Sequence, residues 1–153
     1  MRRAAPAVTC ALLLAGGLLS SVTDASAQHV TISGTASLTV STAAAGASLV
    51  PVTTASLTYD VDNTTGGALA VTGQIDSSLP SGLTLTANLT APVGATSMGT
   101  QTLSTSPVTL VTAIPAGRQQ TGMGIQLTLT ATLAAGVVST NTRQLTLTLV
   151  SAP

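Results

Sequence analysis

The chain has 153 residues, of which 5% are charged and 1% aromatic, and its four basic and four acidic residues cancel to a formal net charge of zero. So little charge excludes the basic patch that nucleic acid or an anionic membrane surface requires, and so few aromatics exclude the stacking platforms of single-strand binders. With 44% hydrophobic residues, it also lacks the low hydrophobicity and high net charge of disordered chains.

The first 27 residues, MRRAAPAVTCALLLAGGLLSSVTDASA, read as a secretory signal peptide. Arg2 and Arg3 form its positive start, residues 11–19 its apolar core, and Ala25-Ser26-Ala27 a small-residue cleavage site. That core is shorter than the roughly 20 residues a bilayer span needs. Cleavage after Ala27 is expected, leaving residues 28–153 as one domain exported to the periplasm, cell surface or medium, with no transmembrane segment. This mature chain sets Arg118 and Arg143 against Asp60, Asp62 and Asp76, a formal charge of −1. The single cysteine, Cys10, leaves with the leader, so no disulfide can form within the mature chain. The core must come from aliphatic burial, at about 1.5–3 kcal/mol for each fully buried Leu, Ile or Val.

Residues 29–40, HVTISGTASLTV, alternate apolar and polar, with Gly34 interrupting as a bulge or bend would. After a small-residue connector at 41–48, residues 55–62 form a second run, with Leu57, Tyr59 and Val61 on one face and Asp60 and Asp62 on the other. The NTTGG stretch at 63–67 is a turn by composition. Runs at 69–75 and 83–90 follow, separated by SSLPSG, then a short run at 100–104 and another at 107–113 that ends at Pro115-Ala116-Gly117. Residues 118–124, RQQTGMG, read as an exposed loop. The closing runs, 125–133 and 144–150, place Leu opposite Thr with a period of two and suggest an antiparallel pair. About eight short strands with regular turn signals predict an all-β, immunoglobulin-like antiparallel β-sandwich in preference to a solenoid.

Asp60, Asp62 and Asn63 are the nearest approach to a metal site, because oxygen ligands at alternate positions begin some calcium loops. The later acidic ligand is missing, since the mature chain has no Glu, and two solvated Asp at a strand end explain the same letters. His29 lies beside the expected new terminus, a poor place for a catalytic base. No second His or Lys stands ready to activate the Ser and Thr hydroxyls. No enzyme activity and no cofactor are expected. Arg118 is a candidate partner anchor, since Arg is enriched at binding hot spots. The Thr arrays resemble the ice-binding faces of some antifreeze proteins, but those ladders rest on solenoids.

LTLTATL and QLTLTLV are uncharged and rich in β-formers, which makes them liable to pair with other chains. The alternating segment carrying Val30, Ile32, Leu38 and Val40 is a candidate for strand addition to a neighbour. A leader, an alternating N-terminal segment, a small Thr-rich sandwich and an alternating last strand together resemble subunits of bacterial chaperone–usher fimbriae and spore-coat-U-like secreted proteins. The cysteine pair and C-terminal aromatic common in those subunits are absent. The resemblance implies a secreted structural or adhesive surface protein whose partner is itself or another surface protein. The competing expectation is a monomeric module binding carbohydrate or calcium.

Overall fold

The computed structural model of the chain describes residues 10–14, 28–40, 52–64, 66–132, 135 and 139–152. The expected cleavage site at 25–27, the connector at 41–48 and Leu133 lie outside them, as does the side chain of Val40. Strands follow one another as β1 (Cys10–Leu14), β2 (Gln28–Ser33), β3 (Ala36–Val40), β4 (Val52–Asn63), β5 (Leu69–Ile75) and β6 (Leu83–Leu89). Then come β7 (Thr96–Ser97), β8 (Gln101–Thr102), β9 (Val108–Ile114), β10 (Arg118–Ala131), β11 (Asn141–Arg143) and β12 (Leu145–Ser151). Each of the eight predicted runs contains strand.

Two antiparallel sheets make a sandwich: one in the order β2-β4-β10-β6-β8, the other β12-β5-β9-β7. Alternation places Leu57, Tyr59 and Val61 of β4, Leu85, Ala87 and Leu89 of β6 and Ile125, Leu127 and Leu129 of β10 on the inner face of the first sheet. They share one core with Val71 and Ile75 of β5, Leu110 and Ile114 of β9, and Leu145 and Leu147 of β12. The Thr positions between them form the outer faces, as strands with one dry face require. A third, small sheet has the order β11-β1-β3, with β1 antiparallel to β3 and parallel to β11. Its middle strand lies within the expected leader.

Gly34, with φ of 101°, ends β2 so that residues 29–40 serve two sheets rather than one. Gly73, inside β5, leaves the space that Leu110 and Leu147 fill, since a Cβ there would sit 2.5 Å and 3.3 Å from their methyl carbons.

Two expectations are corrected. The final two runs do not pair with each other: β10 lies between β4 and β6, while β12 pairs with β5 in the facing sheet. Their aliphatic faces oppose one another across the core, which buries both without edge-to-edge pairing. Residues 118–124 are not an exposed loop but the first half of β10. The extra residue there is absorbed by a bulge opposite Asp60, where Gly122 takes a φ of 69° that glycine adopts without steric cost.

Candidate functional site

Asp60, Asp62 and Asn63 close β4, and the pleat sends them to different faces. Asp60 points outward and its Oδ1 accepts the backbone N–H of Gly122 at 2.7 Å, satisfying the donor that the β10 bulge frees from the ladder. Asp62 shares its face, in register with His29 of β2 and Gln119 of β10. Its Oδ2 accepts from Gln119 Nε2 at 2.8 Å, while Oδ1 is buried without a partner among the described residues. Asp62 is 8% exposed rather than a solvated strand-end charge.

Asn63 faces inward and is fully buried. Its Nδ2 donates to the carbonyls of Gly67 (3.1 Å), Ile114 (3.2 Å) and Pro115 (3.1 Å), and its Oδ1 lies 3.4 Å from Gln28 Nε2. One side chain thus ties the turn after β4 to the end of β9 and to the start of β2. The three residues therefore do not converge on a common ligand. No group of three or more His, Cys, Asp or Glu among the described residues is placed to hold a metal ion.

Tyr59 is fully buried, and its hydroxyl donates to the carbonyl of Thr90. Burial pushes the phenol well above its ordinary range, because the charged form would lose its water. Arg118 opens β10 in register with Asn63, half-buried, with its Nε enclosed and without a partner among the described residues. Arg143 donates from Nη1 to Thr142 O and from Nη2 to Ser78 O, both at 2.8 Å, fastening β11 to the loop after β5.

The proposed partner-binding positions separate. Val30 and Ile32 are half-buried on β2 and pack against the core. Leu38 is fully buried on β3, and Val40 ends that strand. β2 is itself an edge strand, pairing only with β4, and β12 is the edge of the other sheet, pairing only with β5 among the described residues. β2 and β12 lie against each other, so these two long edges share one flank of the sandwich. The opposite flank carries the two-residue strands β7 and β8.

The outer face of the first sheet carries a row of threonines, Thr53, Thr128, Thr86 and Thr102, running across four strands. Thr53 and Thr128 hydroxyls pair with each other at 3.2 Å. Beyond this row Asn88 and Gln126 stand opposite each other at the mouth of a cleft. From the sequence Asn88 stands on a wet face and heads an Asn-Leu-Thr glycosylation pattern, and neither residue is marked as part of a cleft. The available signal was the replacement of Thr by amides, with glycines at 122 and 124 inside a strand. No helix among the described residues is long and apolar enough to cross a membrane. No protein-family model matches the chain, and no curated protein matches it.

Proposed function

We propose that this is a secreted, non-enzymatic structural or adhesive surface protein, immunoglobulin-like in plan, that associates with further copies of itself through β-strand edges. The observation that carries the reading is the flank formed by β2 and β12. β12 offers seven residues, LTLTLVS, without a charge and with one side of its backbone ladder unpaired among the described residues. Lys, Pro and inward charges, the usual guards of an exposed edge, are absent from this strand. Export with cleavage after Ala27 would also remove β1 and open the edges of β3 and β11 that it pairs.

The test is the size of the protein purified from a host that processes its leader, by light scattering across a concentration series and by negative-stain microscopy. Association that grows with concentration, and is reduced in the double variant Thr148→Lys/Val150→Lys, is the expected result. Both positions are exposed on β12, so the two charges guard the edge without entering the core. A monomer at every concentration would sink the reading.

A further inference from the structure

On the outer face of the first sheet, a cleft of about 570 Å³ opens where β6 and β10 continue beyond the two residues that β8 covers. Asn88 and Gln126 face each other across the two strands, Thr90 stands at the end of β6, and Ser97 and Gly99 form the wall. Leu89 and Ile125 back the cleft but are buried in the core. Gly124 has no positive φ that would call for glycine, yet a Cβ there would lie 3.4 Å from Thr90 Oγ1. Its missing side chain is what keeps the cleft open beside Thr90.

The polar groups divide into those that build the cleft and those that remain available. Ser97 Oγ donates to Leu89 O at 2.8 Å, accepts from Gly99 N at 3.2 Å and lies 3.4 Å from Asn88 Oδ1. The Tyr59 hydroxyl holds Thr90 through its carbonyl from below. Among the described residues, Asn88 Nδ2, the Thr90 hydroxyl and the Gln126 amide are left without a protein partner, and no charged residue lines the cleft. A charged ligand would give up its hydration here for no opposing charge. An apolar ligand would leave two amides and a hydroxyl unpaired. A neutral ligand dense in hydroxyls satisfies both constraints, and the volume falls within the roughly 300–1,000 Å³ of small-molecule sites.

We propose that this cleft binds a neutral saccharide, held by hydrogen bonds from Asn88, Thr90 and Gln126. With no aromatic platform, binding is weak, with a dissociation constant on the order of 1 mM. The site lies away from the β2 and β12 edges, so it stands or falls independently of self-association.

The experiment is an NMR titration of the ¹⁵N-labelled processed protein with glucose, galactose, mannose and N-acetylglucosamine and their β-linked disaccharides. Glucuronate and glucose 6-phosphate serve as charged comparators. The expected result is that at least one neutral sugar shifts the side-chain amides of Asn88 and Gln126 and the backbone amides of Gly99 and Gly124. Gly124→Val should then weaken binding by about tenfold or more, and Gln126→Ala by several-fold. Gln126 is exposed, so its variant keeps the test open if Gly124→Val does not fold. No shift at these groups with any neutral sugar up to its solubility limit would overturn the proposal. So would a larger response to the charged sugars, or binding unchanged in Gln126→Ala and Asn88→Ala.

Discussion

Asn63 and Tyr59 show how a buried polar side chain is retained in a core with almost no other polar atoms. Each is fully buried and each donates to backbone carbonyls. Replacing Asn63 with Ala removes the donor to three carbonyls, and a loss of about 1–3 kcal/mol is expected, read as a lower Tm by calorimetry. Asn63→Asp should cost more than Ala, because a carboxylate would then face three carbonyl oxygens; a metal ligand would show the opposite preference. For Tyr59 the folded state holds the neutral phenol and raises its pKa above the unfolded value of about 10. The stability tied to that neutral form is therefore complete below about pH 10 and is lost as pH rises beyond it. Tyr59→Phe should lower Tm at neutral pH by removing the bond to Thr90, and should flatten the decline above pH 10. Equal declines in both proteins would show that Tyr59 does not set the alkaline limit.

At the scale of elements, irregular residues decide where strands go. Gly34 divides one alternating run between two sheets, and Gly122 lets β10 continue through a bulge capped by Asp60. Ala113 does the same in β9 at a φ of 57°, opposite a register shift in β5, in a region that costs a non-glycine residue about 1–2 kcal/mol. Gly82 precedes β6 with a φ of 81°, and its carbonyl accepts the N–H of Thr132 at 2.8 Å, beyond the end of β10. A Cβ at Gly82 would lie 2.6 Å from the backbone nitrogen of Ala135, which cannot swing aside as a side chain can. Gly82→Ala is expected to cost about 1–2 kcal/mol from left-handed strain, and more once the clash with Ala135 is added. Chemical denaturation measures it directly, and a change below about 0.5 kcal/mol would show that neither the left-handed backbone nor the approach of Ala135 restrains position 82.

At the scale of the whole molecule, two sheets bury one aliphatic core, and the outer faces are left to Thr, Asn and Gln. The period of two in Leu57–Val61, Leu85–Leu89 and Ile125–Leu129 made strand identity and the buried face legible from the sequence, because side-chain direction alternates by covalent geometry. Asp62 and Asn63 were not legible in the same way. Their burial depends on Gln119, Ile114 and Pro115, residues more than fifty positions away in the chain. The cleft at Asn88 and Gln126 was hidden for the same reason, since its wall comes from Ser97 and Gly99 and its opening from an absent side chain at Gly124.

What the sequence by itself determined is the all-β class, the dry and wet faces of nearly every strand, and a core without aromatic stacking or staples. Those properties are local: they follow from side-chain chemistry and the pleat. Tertiary structure alone decided that β10 and β12 oppose each other across the core instead of pairing, and that β2 and β12 share one flank. Strand partners are chosen by long-range burial and loop closure, and one uncharged LTL run offers much the same edge as another, so their order could emerge only when the whole core was assembled.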